Sequence, residues 1–304
     1  MIINCKNERI DQALNNKQKI GLALCGGGLQ GFSHIGVIKA LEELGIEPTY
    51  LSGTSTGSVI TTLYSVGYTS DEICKICQEN YERIMKLEKR VLLRMGINYM
   101  RFKDTKTEGM IDGRVISKFI NKYTNNKGFK QISDITNKKI AITTVDTITM
   151  RECIFTSFKM DESDDNIDYI SEIDIGDAVR SSMAFPGIFT PVKYKDYIFI
   201  DGGTINNLPV DVLKKMGAEK TIAISLDLNQ YIPSQNIEGI LLRALDIFSL
   251  SSVKKGQDLA DVNIKIFNPD TSLIKIKDLQ KTIENGYNAV MNKKEEIISL
   301  LGED

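Results

Sequence analysis

A short apolar run turns on consecutive glycines and passes into a helix. A second short run follows and turns on a serine into another helix. The first run is Lys19 to Cys25, and its turn is Gly26, Gly27, Gly28, Leu29, Gln30, Gly31. Phe32 to Leu44 then reads as a helix, with Ile35, Ile38 and Leu41 or Leu44 at helical spacing and Gly45 as its stop. The second run is Thr49 to Ser52. It turns through Gly53, Thr54, Ser55, Thr56 and Gly57 into a helix reaching Val66. This order predicts an α/β fold around a parallel sheet, because parallel neighbours need long crossover connections and those are helical here.

The rest of the chain continues the pattern less regularly. Ser70 caps an amphipathic helix with Asp71 and Glu72 in its first turn. Residues 81–110 set eight basic side chains, from Arg83 to Lys106, against four acidic ones, with Ile84, Leu87, Val91 and Met95 among them. Asp112 opens a further helix through Tyr123. Lys139 to Val145, Glu152 to Thr156, Tyr197 to Ile200 and Thr221 to Leu226 read as strands, and Asp161 to Asp174 as an acidic loop. Pro209 starts a helix that stops near Met216-Gly217. Ile237 to Val253 and Asp278 to Leu301 read as helices. There is no repeat, low-complexity tract or linker. The expected organisation is one domain over 1–304, with a motif-bearing core at 19–226, a lid-like helical insertion at 69–125 and a helical region at 237–304.

With 304 residues, 42% of them hydrophobic, the chain can bury a large core. A net charge of −2 gives no global attraction to nucleic acid or to an anionic membrane. The first residues lack the apolar centre of a secretory signal, and no run approaches the ~18 apolar residues of a membrane span. The expected location is the cytoplasm. Five cysteines, an odd number, do not suggest a disulfide framework. Cys74 and Cys77 fall inside a helical pattern with no second ligand pair, so they read as helix packing and not as a metal site.

Gly53-Thr54-Ser55-Thr56-Gly57 fits a G-x-S-x-G elbow, in which a sharp strand-to-helix turn exposes a reactive hydroxyl. The glycine turn fits two readings. It matches the G-x-G-x-x-G of dinucleotide-binding folds, but that motif wants an acid at the end of the second strand, where this chain has Gly53-Thr54-Ser55. Successive glycine amides can instead aim at one point and hold an oxyanion. Ser55 then needs a base. The chain has a single histidine, His34, which reads as a partly buried helix residue with its ring nitrogens satisfied. Asp201, followed by Gly202 and Gly203, ends a strand that would bring it to the same edge of the parallel sheet as Ser55. Asp-Gly-Gly is also an ordinary tight turn, and its weight comes from the other two motifs.

The ordered set Gly26 to Gly31, Gly53 to Gly57 and Asp201 to Gly203 resembles the patatin-like phospholipase family, most closely its compact bacterial members. Phe32-Ser-His-Ile-Gly-Val37 and Ser181-Ser-Met-Ala-Phe-Pro-Gly-Ile-Phe-Thr-Pro-Val192 add to the likeness, which covers Lys19 to about Leu226. The resemblance implies a three-layer α/β/α sandwich with a mainly parallel central sheet. It implies Ser55 as nucleophile, Asp201 as base and the amides of Gly26, Gly27 and Gly28 as oxyanion hole, with Leu29, Gln30, Gly31, Gly53, Thr54, Thr56, Gly57, Gly202 and Gly203 supporting them. Gln30 stands where the family usually has Arg or Lys.

The implied reaction is hydrolysis of fatty-acyl esters of phospholipids or lysophospholipids through an acyl-enzyme, with no metal or other cofactor. A carboxylesterase for short soluble esters, a catalytically silent lipid-binding or scaffold protein, and a nucleotide-binding protein are the rival readings. The implied partner is a lipid or acyl-ester substrate, not nucleic acid. Residues 81–110 are a candidate for transient membrane-surface contact or for a lid, and the oligomeric state is left open.

Overall fold

The computed structural model describes residues 19–80, 111–160, 166–227, 237–269, 271 and 276–302, with side chains from residue 247 onward in the helix that spans 237–259. The segment 81–110 lies outside the described residues. Among the described residues nine strands form one sheet: β1 (Ile20–Leu24), β2 (Tyr50–Gly53), β3 (Lys139–Asp146), β4 (Arg151–Thr156), β5 (Ile167–Ile170), β6 (Val192–Tyr194), β7 (Tyr197–Asp201), β8 (Lys220–Leu226) and β9 (Val262–Ile266). The main path runs β5-β4-β3-β2-β1-β8-β9. From β3 through β9 along this path every neighbouring pair is parallel.

The helices are α1 (Ser33–Glu43), α2 (Thr56–Ser65), α3 (Ser70–Glu79), α4 (Arg114–Asn126), α5 (Ile175–Ser182), α6 (Val210–Met216), α7 (Ile237–Leu259), α8 (Leu279–Asn292) and α9 (Lys294–Gly302). They cover both faces of the sheet. A Cβ at Gly21 would meet Ala218 and Leu213 on the α6 side, whereas one at Gly53 would meet Thr61 and Gly57 of α2. Gly53 pairs with Leu24, an odd number of residues from Gly21, and so faces the opposite way.

β3 organises the functional end of the sheet. One of its edges pairs with β4 along its length, from Ala141 to Asp146. The other edge is shared. β2 occupies it from Lys139 to Ile142, and β7 enters antiparallel from the far side to pair with Thr144, Val145 and Asp146. The last β2 pair is Gly53 with Ile142, and the first β7 pair is Asp201 with Thr144. The two strands therefore meet almost end to end.

The interior is one aliphatic and aromatic cluster built on Leu22, Leu24, Leu51, Ile142 and Phe155, joined by helix residues such as Ile35, Ile60 and Val179. Phe155 and Phe199 meet edge to face, with centroids 5.2 Å apart at 90°. This contact carries β7 onto the core two residues before Asp201.

Several elements differ from the sequence reading. Asp161 to Asp174 is not all loop: Ile167–Ile170 pairs parallel with β4, and Asp174 caps α5 by accepting the Asp177 N–H. The 237–304 region is not wholly helical, because Val262–Ile266 adds an edge strand beside β8. Its Val-Asn-Ile-Lys-Ile alternation is the period-2 signature of a half-buried strand. The helix read from Asp278 to Leu301 is two helices, parted at Lys293. Thr69, not Ser70, caps α3, through a capping box with Glu72. Cys74 and Cys77 are free thiols on α3, Cys77 buried and Cys74 partly so.

Phe155 is fully buried. Phe155→Ala is expected to lower stability by about 3–5 kcal/mol in a denaturant titration, since a large cavity opens between β4 and β7. An unchanged midpoint would show that this contact does not hold the two strands together.

Candidate active site

Ser55 sits where β2 gives way to α2, with φ 51° and ψ −122°. A non-glycine residue in this region stores strain of roughly 1–3 kcal/mol, so its surroundings must hold it there. Thr54 N–H donates to Leu24 O (3.1 Å) and Gly57 N–H to Thr54 O (2.8 Å). Ser58 Oγ donates to the Ser55 carbonyl at 2.6 Å, and Thr54 Oγ1 to Asn206 O at 2.9 Å. Gly57 lets α2 start directly against β1: a Cβ there would lie 2.2 Å from Leu24 O. The Ser55 N–H donates to Ser182 Oγ (2.9 Å), at the C-terminal end of α5. The amide of the elbow serine is therefore engaged by a side chain.

The glycine turn lies against the elbow. A Cβ on Gly26 would stand 3.0 Å from Ser55 Cβ. Thr56 Oγ1 donates to Gly28 O at 2.7 Å, which ties the turn to the first residue of α2. Gly28 to Phe32 form a 3₁₀ turn, and Gly28 itself has φ 56°. The three glycine amides are not equivalent. Gly26 N–H donates to Asn207 Oδ1 (3.0 Å), so it does not point to an open site as the sequence reading expected. Gly27 and Gly28 are partly exposed, and no hydrogen bond ties their N–H groups among the described residues.

Gln30 is buried and serves the turn through its backbone, where its carbonyl accepts from Ser33 Oγ and Asn268 Nδ2. His34 is wholly buried, more so than expected. Its Nε2–H donates to Cys25 O (2.9 Å), and Nδ1 has no hydrogen-bond partner among the described residues. Burial pushes its pKa down to about 4, so the ring is neutral and steadies the residue before the glycine turn.

Asp201 arrives from the opposite direction to the one expected. It does not end a strand parallel to β2; β7 is antiparallel to β3 and drives Asp201 head-on toward the elbow. The residue is 2% exposed. Oδ1 accepts the Gly203 N–H at 2.8 Å, and Oδ2 is buried without a hydrogen-bond partner among the described residues. Burial pushes its pKa up to about 6, against the opposing pull of the Gly203 amide and the nearby Ser55 hydroxyl. Ser55 is thus close enough to stabilise the carboxylate, while no closed hydrogen bond occupies Oδ2. The Asp201 N–H donates to Ala184 O (3.1 Å). The segment from Ser182 to Ala184 therefore holds the elbow with one residue and the aspartate with another.

Two asparagines that sequence reasoning passed over complete the arrangement. Asn207 grips the Gly26 peptide, and its own N–H donates to Ser252 Oγ on α7 (3.0 Å). The Asn206 carbonyl accepts from Thr54 Oγ1, and its side-chain amide donates to Glu152 (2.8 Å) and Asp211 (3.0 Å). Burial and then Asp211 push the Glu152 carboxyl up to about 7. The signal for both was the Asn-Asn-Leu-Pro run that follows Asp-Gly-Gly, which reads as loop until its partners are known. Among the described residues no group of three His, Cys, Asp or Glu could hold a metal ion.

The sequence pattern of the patatin-like phospholipases matches residues 22–214. The chain belongs to the patatin-like phospholipase family. It is 30% identical over 219 residues to lysophospholipase NTE1 of Scheffersomyces stipitis, covering 72% of this chain and 12% of that protein. It is 29% identical over 255 residues to patatin-like phospholipase domain-containing protein 6 of Mus musculus, covering 81% and 17%. The chain thus spans less than a fifth of the length of these curated relatives. In fold it is similar to VipD from Legionella pneumophila, with TM-score 0.52 at 12% identity over 93% of this chain and 67% of that one. It is similar in the same way to human GIVD cytosolic phospholipase A2, with TM-score 0.52 at 11% identity over 97% and 64%. The family match spans Ser55, Asp201 and the glycine turn.

The raised Asp201 pKa has a consequence for stability. An unfolded aspartate loses its proton near pH 3.9, the native one near pH 6. Between these values the native state binds more protons, so stability falls as pH rises through that window. Asp201→Asn removes this cost. It is expected to raise stability at pH 7 by up to about 3 kcal/mol, with the gain fading toward pH 4. Denaturant titrations at both pH values check this; an equal effect at pH 4 and pH 7 would count against a buried, proton-binding carboxylate.

Proposed function

We propose that this chain is a serine acyl-ester hydrolase that cleaves fatty-acyl esters of phospholipids or lysophospholipids with a Ser55–Asp201 dyad. The carrying observation is a strained serine beside a buried aspartate whose Oδ2 is closed off by no hydrogen bond among the described residues. That oxygen is the acceptor a serine proton needs, and partial protonation near neutral pH matches a group that gives the proton back. The names of the relatives, lysophospholipase and patatin-like phospholipase, support a lipid ester as substrate.

In this reading Ser55 Oγ attacks the ester carbonyl as its proton passes to Asp201 Oδ2. The carbonyl π electrons move onto oxygen, and the Gly27 and Gly28 N–H groups hold the charge. Asn207 is a positioning residue: by holding the Gly26 peptide it leaves the next two amides as the donors. The start of α2 adds its positive end. The C–O bond then breaks, and the alcohol or lysolipid leaves with the proton from Asp201. Water, losing a proton to the same carboxylate, attacks the acyl-serine and releases the fatty acid. His34 takes no part, because its Nε2 is engaged with Cys25 and its ring stays neutral.

A fluorophosphonate probe tests the reading directly. The full chain is expected to label, Ser55→Ala to lose labelling, and Asp201→Asn to label 10²–10⁴-fold more slowly, the usual loss when a general base is removed. A folded chain that does not label would sink the activated serine. Turnover of a soluble ester is also expected to fall about tenfold per unit below pH 6, as Asp201 takes up its proton. A flat profile down to pH 4 would remove Asp201 as base.

A further inference from the structure

Large apolar side chains are exposed in an uneven way. Among the described residues there are eight, and all but Leu259 lie at the C-terminal end of the parallel strands, the end that carries Ser55. Ile148 (58% exposed) and Met150 (80%) form the tip of the β3–β4 hairpin, just past the end of β3. Ile205 (43%) closes the turn that begins at Asp201, its N–H bonded to Gly202 O. Phe267 (48%) is the first residue past β9, beside Asn268, which reaches the glycine turn.

α7 adds the largest group. It crosses from the end of β8 to the start of β9, two parallel strands, so its earlier residues lie nearer the C-terminal end of the sheet. Ser252 marks the level of the glycine turn, because its Oγ accepts the N–H of Asn207, which holds Gly26. Ile247 and Phe248, 56% and 62% exposed, precede it by four to five residues. At 1.5 Å per residue they stand about 6–8 Å further out.

These segments also lack charge. Residues 147–150, 202–208, 247–253 and 267–269 contain no Asp, Glu, Lys or Arg, and charge begins at their borders, with Asp146, Arg151, Asp201, Asp246, Lys254 and Asp270. An uncharged apolar rim loses little on leaving water and meets no repulsion from phosphate headgroups.

We infer that this end of the molecule is a lipid-facing surface, whose rim of Ile148, Met150, Ile205, Ile247, Phe248 and Phe267 seats in the headgroup–acyl boundary of the aggregate holding the substrate. The inference rests on the lipid-hydrolase reading for its occupant and adds where that occupant lies. Seating the rim brings the end of the sheet that bears Ser55 to the lipid, so an ester has only to rise a short way to reach it. The opposite end carries Leu259 alone among the exposed large apolar side chains described, and it stays in water.

The test is flotation of the full chain carrying Ser55→Ala with phosphatidylcholine vesicles, compared with the same chain also carrying Ile247→Asp and Phe248→Asp. The paired substitution is expected to weaken partition at least tenfold, and Leu259→Asp to leave it unchanged. With Ser55 intact, the Ile247→Asp/Phe248→Asp chain is expected to hydrolyse a short p-nitrophenyl ester at the unmodified rate and vesicle phosphatidylcholine at least tenfold more slowly. Equal partition of all the chains, equal loss in Leu259→Asp, or self-association lost with vesicle binding kept would overturn the inference. Partition that falls as expected in a chain that hydrolyses neither ester would uphold the surface and overturn the hydrolase reading.

Discussion

The shared edge of β3 is the constraint on which the rest of this molecule depends. A strand offers one row of hydrogen-bonding groups on each side, and on this side two strands divide it. β2 leaves at Gly53 because the elbow turns away, and the vacated groups are filled by β7 from the opposite direction. Backbone pairing thus fixes Ser55 and Asp201 relative to each other without relying on a flexible loop. Phe199, buried against Phe155, anchors β7 so that the short strand cannot slide. A one-residue slip would turn Asp201 to the other face of the sheet.

Around that junction the loops are held by small residues, through hydrogen bonds that each engage a backbone group on at least one side. Asn207 holds the glycine turn, Asn206 holds Thr54, Ser182 holds the Ser55 amide, and Ala184 holds Asp201. The strain at Ser55 persists because these bonds over-determine its position. Burial of the Asp201 carboxyl is the converse cost: it destabilises the ionised native state while tuning the group toward proton exchange near neutral pH. Burial of this carboxyl therefore opposes the stability of the fold at one residue, a cost that the proposed chemistry accounts for.

The sheet also has a polarity. Parallel strands send their strand-to-helix turns to the same end, which gathers the elbow, the glycine turn and the apolar rim on one side of the molecule. No helix among the described residues is long and apolar enough to cross a membrane. The apolar surface is distributed over several short segments, and only their convergence makes a face of it.

The sequence by itself determined the α/β class, the first two strand–turn–helix units and the identity of the serine elbow. These are local: glycine positions, helical spacing and turn chemistry act within a few residues. It also singled out Asp201, through its place after an apolar strand and before two glycines. Tertiary structure decided the rest. The direction of β7 and its place on the β3 edge are long-range pairings that periodicity does not encode. The partners of Asn206, Asn207 and Ser182 lie far away in sequence, which is why these residues read as ordinary loop and helix positions. Spacing makes the three glycine amides look alike, and only the packed Asn207 side chain distinguishes Gly26 from the other two. β9 is legible in its alternation, a short signal beside longer helical patterns. Local residue chemistry thus named the candidate groups, while hydrogen bonding and burial between distant segments set their direction, spacing and protonation.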